Sequence, residues 1–374
     1  MNRYIIIIAL LFGCTAASTA QSKVERTSSK PPSSTITDEK KIQLQASDAG
    51  NIQIDRALYY KNSYMNTRSA IIDSDTKQIK EEDQRQLDNI IKKMEAEVPN
   101  SAECHYVNYL NGNYNPAKIG ELDKAFELTN NKSELLDEYI AYYELMQNSD
   151  KKKEFCNKLH KSKTISPGVM EYNFNVLMSI EQGGILFVNG TEDTYPIWIH
   201  QQAMDIRSDV IILNTDLLGV DAYRAKMLRK IGVGSNMDYN SDRIAYIKSI
   251  AKGNPDKPIY FALTFTKPVL NGLKDQLYLT GLALKYSPKK IENLPILKRN
   301  WEEEFKTSTL ENSKTSTTAK QINMNYIIPL VQLSGLYKEQ GNEKESERLR
   351  NIILQLAKEG GKEPQVIEYM KKRE

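Results

Sequence analysis

Gly183-Gly184-Ile185-Leu186-Phe187-Val188-Asn189-Gly190-Thr191-Glu192-Asp193 is where the hydrophobic period of the chain changes. Upstream, apolar residues recur at helical spacing with Glu and Lys between them. At Ile185 four apolar residues run without a break, bounded by Gly-Gly on one side and Asn-Gly on the other. A short apolar run between turn residues reads as a buried strand. The segment Thr194–Asp205 then reads as a helix, with Pro196 in its first turn and Asp193 or Thr194 as the cap. Val210-Ile211-Ile212-Leu213 is a second buried strand. Asp221–Ile231 and Ser241–Lys252 are helices, and Pro258–Leu263 is a third strand. Leu277–Tyr286 reads as an edge strand or extended segment. Apolar strands alternating with helices predict a parallel sheet covered on both faces, with right-handed crossovers. Residues 183–290 are therefore expected to form a small Rossmann-like α/β unit.

In such sheets, ligands gather at the carboxyl ends of the strands. Here those ends carry Asn189, Gly190, Glu192, Asp193 and Thr194, then Asn214, Thr215 and Asp216, then Thr264 and Thr266. Asn189, Glu192, Asp193, Thr194, Asn214 and Asp216 form the candidate ligand-binding set. The same residue types also cap helices and close turns, so both uses stay open at this stage.

Outside the α/β unit the pattern is helical. Leu87, Ile90, Ile91 and Met94 mark one amphipathic helix, ended by Pro99-Asn100. Short helices with apolar faces follow through residue 165, and Tyr109 and Tyr143 stand 34 residues apart. Paired helices at that period predict repeat-like stacking. Gly120–Leu128 resembles the second helix of a tetratricopeptide repeat. Leu330, Leu333, Ser334, Tyr337, Gly341 and Ser346 match the large, small, aromatic and Gly positions of such a repeat in order. The fold class expected is thus α/β plus all-α: the Rossmann-like unit flanked by degenerate tetratricopeptide-like repeats over 51–180 and 291–374. Repeats of this kind imply protein or peptide partners. Residues 306–320, rich in Ser and Thr, read as a mobile loop. The charge runs Lys151-Lys152-Lys153 and Glu302-Glu303-Glu304 read as solvated helix faces.

The N-terminus carries a basic residue, Arg3, then Ile5–Phe12, then small residues, the pattern of an export signal. Two processing readings remain open. Ser18-Thr19-Ala20 fits cleavage after Ala20, whereas Leu11-Phe12-Gly13-Cys14 resembles a bacterial lipobox that would lipidate Cys14. Residues 21–50 read as a flexible tether. The expected location is the periplasm of a Gram-negative envelope, free or lipid-tethered. In an exported chain Cys104 and Cys156 could pair, but their helical settings favour two free thiols.

Composition narrows the function classes. Across 374 residues, 26% are charged and the formal net charge is only +3, too balanced for a nucleic-acid binder. Mean hydropathy is −0.55 and no 18-residue apolar run occurs, which excludes a multi-span membrane protein. His105, His160 and His200 make no ligand pair, no P-loop or nucleophile elbow occurs, and Gly232-Val233-Gly234 lacks the rest of a dinucleotide fingerprint. No metal, cofactor or catalytic residue is assigned.

One resemblance spans residues 183–374. Gly184–Gly190, Asp193–Trp198, Arg207-Ser208-Asp209-Val210, Asn214-x-x-Leu217-Leu218, Lys257–Ala262 and Leu279–Ala283 follow the ordered pattern of a bacterial family. That family is the protein O-mannosyltransferase-like multi-span membrane proteins, in their soluble C-terminal part. The resemblance implies a shared fold and shared partners. It carries no catalytic residue over, because glycosyl transfer in that family is expected from the membrane-embedded half. The reading is an exported, non-catalytic interaction protein accessory to glycosylation or export machinery. The alternative is an α/β domain that binds a sugar or glycopeptide at its strand ends.

Overall fold

The computed structural model describes residues 38–72, 79–233, 242–310 and 316–372, with side chains from residue 52 onward. The export signal, Cys14 and the first part of the expected tether lie outside the described residues. The described residues are about 70% helical, with one small mixed sheet. It divides into two compact units, joined at Lys132–Ser133.

The first unit contains α1 (Asp38–Ile71), α2 (Glu81–Glu97), α3 (Ala102–Asn111), a 3-10 turn at Pro116–Lys118 and α4 (Ile119–Leu128). Residues 38–50 were expected to be tether, yet they continue α1. Glu39, Lys40, Lys41, Gln43, Leu44, Gln45 and Ala46 are good helix formers, and the helix they extend is anchored further along by buried Ala57 and Tyr64. Leu87, Ile91 and Met94, at i, i+4 and i+7, pack on those two residues together with Val98, Cys104 and Val107. Ser101 caps α3 by accepting from the Cys104 amide at 3.1 Å.

The second unit begins with a helical hairpin, α5 (Leu136–Met146) and α6 (Ser149–Ser162). Gln147 turns the chain in the left-handed region, φ 56°, and Asn148 caps α6. Tyr139 stacks on Phe155 at 4.5 Å. Helix α7 (Pro167–Met178) follows, then β1 (Ile185–Val188), α8 (Thr191–Ala203), β2 (Ile211–Asn214), α9 (Thr215–Leu218), α10 (Asp221–Ile231), α11 (Arg243–Gly253), β3 (Ile259–Ala262), α12 (Lys267–Leu273), β4 (Leu277–Leu279) and β5 (Ala283–Tyr286).

The sheet order is β2-β1-β3-β5-β4. Strands β2, β1 and β3 run parallel, with Phe187 opposite both Leu213 and Phe261. The expectation of a wholly parallel sheet is corrected at the other edge. Leu277–Tyr286 is two strands, not one, and β5 pairs antiparallel with both β3 and β4. The reason is the short connection: β4 and β5 are joined by three residues, which can only reverse direction. Gly281 in that turn has no room for a side chain, since a Cβ would sit 2.3 Å from Ser179 Oγ. That hydroxyl accepts from the Leu282 amide at 2.9 Å.

The C-terminal helices are α13 (Leu294–Arg299), which runs into a π-turn at Asn300–Glu304, then α14 (Thr317–Asn323), α15 (Ile327–Glu339), α16 (Glu343–Glu359) and α17 (Glu363–Lys371). Helices α15 and α16 form a hairpin in which Ser334 and Ser346 hydrogen-bond each other's hydroxyls at 3.0 Å. Small side chains at those two positions let the helix backbones approach. Of the expected loop 306–320, residues 306–310 and 316–320 are described, and 317–320 belong to α14. Glu171 of α7 accepts from the Thr309 amide at 2.8 Å and from the Ser308 hydroxyl, and Ser316 caps α14. Residues 311–315 lie outside the described residues.

Candidate functional site

The parallel pairing of β1 with β3 brings Asn189 and Gly190 beside the chain leaving Ala262. Gly190 has φ +74°, a left-handed conformation that only Gly adopts freely, and it starts α8. The helix therefore begins three residues before the position expected for Thr194. Neither Asp193 nor Thr194 caps it. Asp193 becomes the third helical residue and is 2% exposed.

That shift also moves Pro196 from the first turn into the helix interior. Pro has no N–H, so the carbonyl one turn earlier, at Glu192, loses its partner. Asn173 of α7 supplies the replacement: its Nδ2 donates to the Glu192 carbonyl at 2.8 Å and to Val169 O at 3.0 Å. Asn173 is fully buried, and its Oδ1 makes no hydrogen bond. The signal for this residue was present as a lone Asn on the apolar face of Val169, Tyr172 and Val176, but sequence reading passed over it.

The six candidate residues divide into two groups. Asn214 is consumed: its Oδ1 caps α9 through the Leu217 amide at 3.0 Å, and its Nδ2 donates to Thr194 Oγ1 at 2.9 Å. Thr194 is thereby occupied as well. Asp216 accepts from the Gly190 amide at 3.2 Å and so ties the ends of β1 and β2 together. Glu192 is exposed and accepts from the Thr191 hydroxyl at 2.8 Å. Asn189 and Asp193 are different, because Asn189 Oδ1 and Asp193 Oδ1 are buried and unpartnered.

Asp193 is the chemical centre of the site. Its Oδ2 accepts from the hydroxyl of Thr264, an exposed residue just past β3. Burial, with the Glu192 carboxylate as a lesser contributor, pushes its carboxyl up to about 7, despite the Thr264 hydrogen bond that favours ionisation. Thr266, two residues further on, also buries an unpartnered hydroxyl. The arrangement offers several oxygen acceptors, and no cationic side chain among the described residues contributes to the Asp193 shift.

On the opposite side of α8, the ring of Trp198 carries the Lys152 ammonium 4.0 Å from its centroid. Lys152 is 7% exposed and bonds Glu144 Oε2 at 2.6 Å. The middle of the Lys151–Lys153 run is therefore buried rather than solvated. Burial pushes the Glu144 carboxyl up, but Lys152 and the Tyr223 hydroxyl outweigh it and leave the group below its ordinary value. His200, also buried, bonds Met170 O at 2.8 Å through Nε2, a packing histidine. Arg207 and Asp209, from the Arg-x-Asp motif, are structural. The guanidinium donates to the carbonyls of Leu177 and Ile180 at 2.8 and 2.7 Å, closing the end of α7. Asp209 in turn accepts from the Gly183 amide at 2.9 Å. Among the described residues, no group of three or more His, Cys, Asp or Glu side chains is placed to hold a metal ion.

Residues 169–251 match a known family, the TMEM260-associated domain 2. The match runs from α7 to α11 and includes Asn173, Asn189 and Asp193. It fits a TMEM260-like, O-mannosyltransferase-related family. No curated protein and no solved structure matches the chain. Among the described residues, no helix is long and apolar enough to cross a membrane.

Proposed function

We propose that the chain is an exported cell-envelope interaction protein without catalysis of its own, accessory to glycosylation or export machinery. The observation that carries this reading is the TMEM260-associated domain 2 match over α7–α11. Three of the six strand-end candidates, Asn214, Thr194 and Asp216, serve the fold or one another, which suits a docking module better than an enzyme. In this reading the helical hairpins would serve as the docking surfaces, as the tetratricopeptide-like sequence pattern implies. The Ser334–Ser346 contact stands where such repeats place small residues, and a groove of about 270 Å³ opens beside it, lined by Val331, Gly335, Lys338 and Arg350. Cross-linking in intact envelopes followed by affinity purification should recover a multi-span glycosyltransferase or an export component. Recovery of neither, with the full chain correctly localised, would overturn the reading. Mass spectrometry of the mature N-terminus distinguishes cleavage after Ala20 from lipidation at Cys14.

A second reading, a small-ligand site at the strand ends, is favoured by one observation. Asp193 is a buried carboxyl with an unpartnered oxygen and, among the described residues, no counter-charge acting on it. A solvent-shielded acid of this kind is costly to keep unless something binds it.

A further inference from the structure

We propose that the carboxyl ends of β1 and β3 bind a ligand through its primary ammonium group, held by Asp193, Asn189 and Asn173. The proposal rests on the ligand-site reading and names the chemistry that reading leaves open.

The argument is one of donors and acceptors. Asn173 Nδ2 is committed to two backbone carbonyls, so the identity of Asn173 Oδ1 as an acceptor is fixed. Asp193 Oδ1 is an acceptor whenever the carboxyl is ionised. Both atoms are buried and unpartnered, and so is Asn189 Oδ1. Asn173 reaches α8 at Glu192, next to Asp193 in sequence. Asn189 precedes the same helix by two residues. Thr264 lies over the carboxyl from the β3 side. An ammonium group offers three donors, no acceptor and one positive charge. It would satisfy the acceptor oxygens and supply the missing counter-charge together. A neutral polyol would satisfy oxygens but leave the carboxyl unpaired, and an anion would meet Glu192 and Asp193.

The charged and titratable groups near Asp193 are few. Glu192 sits on its own helix and raises its pKa, and Tyr172 on α7 is itself pushed up, by burial first and by Asp193 second. Lys152 and Glu144 pair with each other on the Trp198 side of α8, and His200 is engaged with Met170. Of the residues around Asp193, Thr264 is exposed and Asn189 and Gly190 are half-buried.

The test uses the full chain, isotopically labelled, titrated with propylammonium, 1-propanol and glycerol while the backbone amides of Asp193 and Thr264 are followed by NMR. Propylammonium should shift these amides saturably and bind at least tenfold more tightly than either neutral probe. Asp193→Asn should abolish the difference. In the unsubstituted chain, propylammonium affinity should rise about tenfold from pH 6 to pH 8, as a carboxyl titrating near 7 ionises. That arm stands even if the Asn variant fails to fold. Equal or tighter binding of glycerol would overturn the ammonium assignment and leave the ligand-site reading intact. A flat pH dependence would also overturn the assignment. No shift with any probe would overturn both.

Discussion

Asp193 sets the pH behaviour expected of the native state. Its folded value, about 7, lies well above that of an unfolded Asp. A raised folded pKa adds stability that is present below the unfolded pKa and is lost as pH rises through the folded one. The window for Asp193 therefore runs from about pH 4 to about pH 8, and the loss is on the order of 4 kcal/mol. Asp193→Asn should flatten this limb and make the protein more stable than the unsubstituted chain at pH 8, measured by urea unfolding at several pH values. Asp209 works in the opposite sense. Its hydrogen bond from Arg207 holds it at about 2, so its contribution is present above the unfolded pKa and fades as pH falls from about 4 towards 2. In Asp209→Asn, the acid limb of the same curve should become shallower. Neither role was legible in the sequence. Both residues were visible as motif positions, but burial by α7 and the approach of Thr264 come from segments distant in the chain.

The element most altered by its neighbours is α8. Its start was expected near Thr194 because Pro196 suits a first turn. Gly190 instead allows the chain to enter the helix three residues earlier, and Asn173 compensates the carbonyl that Pro196 leaves free. Asn173→Ala should cost about 1–3 kcal/mol, as a buried acceptor loses its donor. Pro196→Ala in that background should recover part of the loss by restoring the N–H, and a double-mutant cycle in urea checks the coupling. The hairpin α5–α6 carries a second dependency. Removing only Lys152, as in Lys152→Met, would leave Glu144 buried without its bonded counter-charge and should cost about 3–5 kcal/mol. Glu144→Gln together with Lys152→Met should be less harmful than Lys152→Met alone. Periodicity located these helices within a few residues, because their apolar faces repeat at 3.6. It did not show that Lys152 is buried, since the aromatic floor beneath it, Trp198, lies 46 positions away. The sheet followed the same division. The runs at Ile185, Val210 and Pro258 announced three parallel strands, whereas the antiparallel edge depended on where the chain turned at Gly281.

At the scale of the molecule, among the described residues the two compact units each contain one buried free thiol, Cys104 in the first and Cys156 in the second. Burial pushes these thiols up, to about 11 and about 12, so both should resist alkylation in the native state. Smaller units bury a smaller share of their surface as a rule, which marks the first unit as the less stable. In a urea series read by site-resolved mass spectrometry, Cys104 should label at lower denaturant than Cys156. Simultaneous labelling would mean that the units unfold as one. Sequence alone determined the order of the elements, the change from helical to strand period at Gly183, the buried strands and the polar residues at their ends, because these follow from local periodicity and turn chemistry. Tertiary structure decided which of those polar residues are spent on the fold and which are left over. Asn214, Thr194 and Asp216 found partners across β1 and β2, while Asp193, Asn189 and Asn173 kept buried oxygens with none. The physical reason is that a hydrogen-bond partner is assigned in space, and the sequence specifies which groups need one without saying which will meet.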